Sequence, residues 1–363
     1  MAGRDVGEEA QIRTKEGAQR AHERVQGASA RAREVVGQNE QRMEAGFWFL
    51  SIALGLLGSF ILFMPDKAAM LAFGPLAFKP SEQKMGIIRE CVHKARHGEV
   101  PEAASKAYAW MAAQDYPLPL AYEVDLRIIG SAILGAAVVA YLLKRAAAAG
   151  TLHQETYKRL NMALFTWAAL SAGISIMRRS LWSAQGLMVW VGFLANTLIV
   201  TAPLLLAQNP VSVITETVND AKRVRTGRGK LFLILSAFFF VEGLGILAQP
   251  NLAQRALSGP AIKMDDPLVG LLFSLVAASA HIIVPAAVFN LKSLSDQGNL
   301  ANLSAFLQNA VLFIVATTHV IELTRSAITG NAGPIAPVLF TAWTTAFVTS
   351  LTHFPYTVEG RDW

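Results

Sequence analysis

The sequence predicts an all-α integral membrane protein of about eight transmembrane helices, arranged as two parallel four-helix repeats behind an N-terminal polar helix. Three observations lead there. Charged residues are 16% of the 363 and apolar ones 53%, with a mean hydropathy of +0.38, whereas a soluble domain carries about a quarter charged residues. The charges are also segregated: residues 132–142, 186–208 and 231–249 hold one charged residue between them, Glu242. Finally, parts of the chain match one another at constant offset.

Residues 1–45 are polar, free of proline and rich in Ala, Arg, Glu and Gln, a composition that favours an exposed helix or arm. Ala18, Ala21, Val25, Ala28, Ala32 and Val35 recur at spacings of three and four, a narrow seam suited to a partner helix. A solvated arm accounts for it equally well, because such small side chains bury little area. Acids come early and no apolar core follows, so neither a secretory signal nor a typical transit peptide is expected here.

A span needs about 20 apolar residues. That requirement places helices near 46–64, 125–143, 161–177, 182–206, 231–248, 267–290, 305–323 and 335–353. The first repeat is 46–207 with a long loop at 76–121, the second is 231–354, a basic linker at 208–230 joins them, and 355–363 is a tail. Eight spans return both termini to one side. Lys144, Arg145, Lys158, Arg159, Lys292, Arg361 and the run Lys222, Arg223, Arg225, Arg228 and Lys230 lie on that side. They outnumber Arg178, Arg179, Arg255, Lys263 and Arg325 opposite, which makes the terminus side the positive side: cytosol, matrix or stroma. The net charge of +6 is thus explained by loops beside spans, and no nucleic-acid partner is expected.

The duplication is read from two ungapped blocks. At an offset of 185, Phe47/Phe232, Leu50/Leu235, Ser51/Ser236, Gly58/Gly243, Pro65/Pro250 and Pro75/Pro260 are among the identities. At an offset of 148, Lys144/Lys292, Gly150/Gly298, Asn161/Asn309 and Phe165/Phe313 coincide. Four spans per repeat make the two copies parallel. Pro65 and Pro250 each stop a span for want of an N–H, and Gly74-Pro75 and Gly259-Pro260 turn the chain after a short amphipathic stretch.

Ionisable groups at membrane depth are candidate functional residues. They gather in the second half as Glu242, His281, His319 and Glu322. Direction of travel brings all four toward the outer half of one bundle, and His319 and Glu322, three apart, share a helix face. Such a set can bind a cofactor, as a haem ligand or a proton relay to a quinone. The plainer account is that Glu242 or Glu322 accepts hydrogen bonds from a histidine and from Arg325 at a helix contact. The counterparts Leu57 and Ser171 are not ionisable, and the first half holds almost no such group at depth. His93 and His97, one turn apart in the long loop, and His353 at the end of the last span read as interfacial histidines. Tyr108, Trp110 and Tyr122 suit the headgroup level. The lone Cys91 cannot form an internal disulfide, and no metal-binding, phosphate-binding or nucleophile motif is present, so no catalytic or metal-ligating residue is expected. No cofactor is identified, and bound lipids are expected.

The layout of span, proline stop at Pro65 or Pro250, short amphipathic stretch, Gly-Pro and three further spans resembles the DoxX-like four-helix membrane family, seen twice in tandem. The resemblance implies a four-helix bundle and an association with respiratory or quinone-linked complexes. The expected role is therefore a non-catalytic polytopic subunit that scaffolds or extends an energy-transducing complex in the mitochondrial inner or thylakoid membrane, with the bilayer and other membrane subunits as partners. A redox, quinone- or haem-linked protein using the His/Glu set is the alternative, and a secondary transporter the third.

Overall fold

The computed structural model describes residues 43–74, 118–257 and 266–352. The N-terminal seam, Cys91, His93, His97, Tyr108 and Trp110 of the long loop, the prolines Pro75 and Pro260, His353 and the tail lie outside the described residues. The described chain is helical, with no β-strand among those residues. We number the helices α1 (Met43–Phe63), α2 (Pro65–Phe73), α3 (Leu120–Ala148), α4 (Glu155–Met177), α5 (Ala184–Gln208), α6 (Pro210–Ala221), α7 (Gly227–Ala248), α8 (Pro250–Leu257), α9 (Pro267–Asp296), α10 (Leu303–Ile328) and α11 (Ala336–Thr352).

Seven of them, α1, α3, α4, α5, α7, α9 and α10, are long and apolar enough to cross a membrane, as expected of an integral membrane protein. The remaining apolar helix, α11, has 17 residues and stops where the described segment stops. Most spans run a few residues past the apolar stretches that predict them, because the ends are set by polar caps. Ser183, Thr226, Asp266 and Asn302 each accept a hydrogen bond from a first-turn N–H, of Gly186, Gly229, Leu268 and Ala305. At the other end, Gly150 (φ 65) and Gly298 (φ 73) adopt the left-handed conformation that closes α3 and α9. The next residue's N–H then reaches back five positions, Thr151 to Ala146 and Asn299 to Leu294, each at 2.8 Å.

Helices α3 and α9 form the centre. Their apolar windows are 78% and 83% buried, against 28% for α1 and 33% for α5 and α7, which turn large apolar side chains such as Phe49, Leu56, Ile199 and Val241 outward. Because α3 packs against α10 and α9 packs against α4, each central helix leans on a helix from the other half of the chain, and α3 and α9 also touch each other. Small residues allow the close approaches. A Cβ on Gly58 would lie 2.7 Å from the Leu134 nitrogen of α3, and one on Gly243 would lie 2.3 Å from Cβ of His281 in α9.

Several polar contacts occur in pairs, one per half. Ser51 donates to the Ala137 carbonyl (3.0 Å) and Ser236 to that of Pro285 (2.9 Å). Asn161 donates to Thr201 O (3.1 Å) and Asn309 to Ser350 O (2.8 Å). The carbonyls at the ends of the short helices α2 and α8 are capped alike, Ala72 by the Ser183 N–H (2.8 Å) and Leu257 by the Gly333 N–H (2.6 Å).

The connection read as a basic linker contains a helix of its own, α6, entered through Asn209 at φ 54. It is held down by Lys292, whose side chain is fully buried. Lys292 donates to the carbonyls of Asp220 (2.6 Å) and Arg223 (2.8 Å), and pairs with the carboxylates of Asp220 (2.9 Å) and Asp296 (3.1 Å). Asp220 also receives Ser293 at 2.5 Å and Arg159 at 3.1 Å, while Asp296 receives the N–H groups of Arg225 and Thr226, both at 3.0 Å. Burial works to raise the pKa of Asp220, but the hydrogen bonds from Ser293 and Lys292 and the charges of Arg159 and Lys292 prevail and hold its carboxyl below the usual range.

Candidate functional site

Glu242 of α7, His281 of α9 and His319 of α10 meet around an indole. Gly243 has no side chain to hold α7 away from α9, so its neighbour Glu242 comes to 3.2 Å of Nε2 of His281. The distance is that of an ion pair, yet the two groups lack the alignment of an N–H···O hydrogen bond. Oε2 of Glu242 and both ring nitrogens of His281 are buried and have no hydrogen-bond partner among the described residues. Orphaned polar atoms of this kind are uncommon in helix interiors and costly in a low dielectric.

The His281 and His319 rings stand edge to face at 6.2 Å. His319 stacks flat on Trp343 of α11, with centroids 3.7 Å apart and planes 12° apart, and Phe239 of α7 stacks on the same indole at 4.0 Å. Nδ1 of His319 sits 2.9 Å from the Val315 carbonyl one turn earlier. That carbonyl holds the ring in place. Among the described residues no group of three or more His, Cys, Asp or Glu side chains converges as a metal cage.

Glu322 belongs to a different assembly. It lies three residues beyond His319, but its carboxylate faces α3, 3.6 Å from Nε of Arg127, with Arg325 at 3.7 Å. Glu123 completes this network: it accepts Arg325 in a two-pronged pair (2.7 and 2.8 Å) and Arg127 at 3.0 Å. The residues therefore divide, with Glu242, His281 and His319 in one cluster and Glu322 in an ion network that fastens α3 to α10. Nearby, the Tyr122 hydroxyl donates to Asp266, the cap of α9, so neighbouring ends of α3, α9 and α10 are joined.

No family model matches this chain, and no curated protein does either. Its chemistry has to be read from its own side chains.

Two groups of interest escape the sequence reading. Trp343 is fully buried between Phe239 and His319, and only the packing of α11 shows that it faces them. Asp125 is 6% exposed, and its Oδ2 has no hydrogen-bond partner among the described residues, although the first half is expected to hold almost no ionisable group at depth. Helix α3 begins at Leu120, so Glu123, Asp125 and Arg127 are helical residues at the N-terminal end of a central helix. Their spacing, with two acids and a base inside one turn, is the available signal, and a count of apolar residues passes over it.

Proposed function

We propose that this protein is a non-catalytic membrane subunit that scaffolds or extends a larger energy-transducing complex in the mitochondrial inner or thylakoid membrane. The observation that carries the reading is where the buried polar side chains go: most of those with partners join one helix to another. Lys292, Arg159 and Asp220 clamp α4, α6 and α9, while Glu123, Arg127, Glu322 and Arg325 clamp α3 to α10. The outer helices present broad apolar faces to lipid or to neighbouring subunits. A rigid core inside an apolar perimeter suits a part that other chains are built upon.

In this reading α11 is an eighth span, the chain is two parallel four-helix repeats, and both termini lie on the side of the basic loops. The paired contacts of Ser51 and Ser236, of Asn161 and Asn309, and of the caps on α2 and α8 support the duplication. The DoxX-like layout is part of the same proposal. A redox role through His281 and His319 is the second reading, favoured by the edge-to-face placement of the two imidazoles beside a carboxylate.

Gentle solubilisation of the native membrane, with native gels and mass spectrometry of the particle, tests the assignment. The chain is expected to co-migrate with a large multisubunit assembly that fails to form when the chain is lost. Recovery as a lone monomer or dimer overturns the scaffold reading, and a visible chromophore retained on that lone protein would install the redox one.

A further inference from the structure

Helices α4, α6, α7 and α9 border a groove of about 450 Å³. Arg159, Leu233 and Phe289 line one end and Thr166, Phe240 and Ile282 the other, so the groove follows three helices for roughly 10 Å. Its walls are mostly apolar. Of the polar side chains in them, Thr217 and Ser236 donate to the carbonyls of Val213 and Pro285, and Arg159 is held by Glu155, Thr217, Ser293 and Asp220, which leaves Thr166 at the deep end. The mouth is basic. On α6 the wall residues Ile214 and Val218 continue at four-residue spacing to Lys222, whose backbone is still helical. On α7 the wall residues Phe240, Ala237 and Leu233 continue back to Lys230. Both lysines thus stand at the Arg159 end. With Arg223, Arg225 and Arg228 they are exposed, and none of the five side chains is in an ion pair among the described residues. The acids nearby are already matched: Glu155 to Arg159, Asp220 to Arg159 and Lys292, Asp296 to Lys292, and Glu216 to Lys158.

Excess cations at the mouth and apolar walls behind it are complementary to an amphiphile of opposite charge. Exposed Val211, Ile214 and Val218 give α6 an apolar face, and a helix of that kind lies at the head-group level of a bilayer, which puts the mouth there too. We propose that this groove is a binding site for an acidic phospholipid, with one acyl chain between α4, α7 and α9 and the phosphate between Lys222 and Lys230. A phosphate suits two lysines, because each is a point charge with three N–H donors and the phosphate offers several acceptor oxygens. A zwitterionic lipid brings a cation of its own into a mouth that is already positive. This inference goes beyond the scaffold assignment, and its test contains no partner subunit, so the two fail separately.

The test uses the purified full-length chain in a non-ionic detergent, with dioleoyl phosphatidylglycerol and dioleoyl phosphatidylcholine as probes. They share acyl chains and differ in head-group charge. By native mass spectrometry the first is expected to bind, and the second to bind roughly tenfold or more weakly. The acidic lipid should also raise the unfolding temperature in a concentration-dependent way. Lys222→Gln combined with Lys230→Gln should weaken the acidic lipid roughly thirtyfold, at about fivefold per lysine beside a membrane surface. Ala237→Trp, at an exposed position in the wall, should fill the groove and weaken the same lipid with every cation still in place. Equal binding of the two lipids, binding of neither, or undiminished binding of the acidic lipid in either variant overturns the proposal. Should a variant not fold, phosphatidylglycerol carrying a diazirine on an acyl chain is photolysed on the native chain. Labelling concentrated in residues 233–240 and 282–289 sustains the site, and labelling shared equally with the apolar groove between α1, α2 and α5 refutes it.

Discussion

Replacing Lys292 by Met should destabilise the protein far more than the same change at Lys144, the residue aligned with it in the first half. The Lys292 ammonium is fully buried, with two carbonyls and two carboxylates within 3.1 Å. Removing one partner of a buried ion pair costs about 3–5 kcal/mol when the other charge is left bare. Here Asp220 keeps Arg159 and Ser293, and Asp296 keeps two backbone N–H groups, so the carboxylates are only partly stranded. The carbonyls of Asp220 and Arg223 lose this donor, at about 1 kcal/mol each. These terms together place Lys292→Met at about 3 kcal/mol. Lys144 pairs with Glu44 at 3.1 Å, but both side chains are partly exposed, at 28% and 34%. An exposed pair is worth at most about 1 kcal/mol. Equilibrium unfolding in mixed micelles, following tryptophan fluorescence, measures both. A Lys292 variant no less stable than the Lys144 variant would refute the view that this lysine anchors the connector between the halves.

Two further outcomes follow from the geometry. Gly186→Ala and Gly333→Ala each place a Cβ within 2.5 Å of a backbone carbonyl oxygen, of Ala72 and Ala256 respectively, and should each cost about 1–3 kcal/mol or more in the same assay. Gly173→Ala and Gly192→Ala meet nothing within 4 Å and should be neutral or stabilising by up to about 1 kcal/mol. The carboxyl of Asp220 has its pKa lowered in the folded protein, so its contribution is fully present above the unfolded value of about 3.9 and is lost as pH falls through the folded value. The stability difference between the native chain and Asp220→Asn, measured by thermal unfolding across that acidic range, should shrink toward low pH. A constant difference would contradict it.

The spans were legible because apolar runs of membrane length have few other uses, and the prolines Pro65 and Pro250 mark two of their ends in the structure. Helix ends were less so, since Thr226, Asn302 and Asp266 cap from polar stretches that read as loop. Helix α6 was missed for a related reason: exposed Val211, Ile214 and Val218 share one face, but they stand beside the basic run that reads as a linker. Of the four candidate site residues, the membership of Glu242, His281 and His319 in one cluster followed from depth and direction. The separation of Glu322 did not, because sharing a face with His319 says nothing of which helix lies over each end of it. Trp343 depended on the rotation of α11, which no periodicity reveals in a helix whose threonines and apolar residues fall on all sides.

The placement of α3 against α10 also constrains how the chain is made. Glu123 and its partner Arg325 are 202 residues apart. At about 5–20 residues per second, roughly 10–40 s separate the synthesis of the two. During that interval α3 can pack against α4 and α9 as they emerge, but Glu123 and Arg127 at one end of it lack the Arg325 and Glu322 of α10. That ion network closes only when the seventh predicted span arrives. Ribosome-bound nascent chains truncated before Leu303 would accordingly be the ones most exposed to quality control.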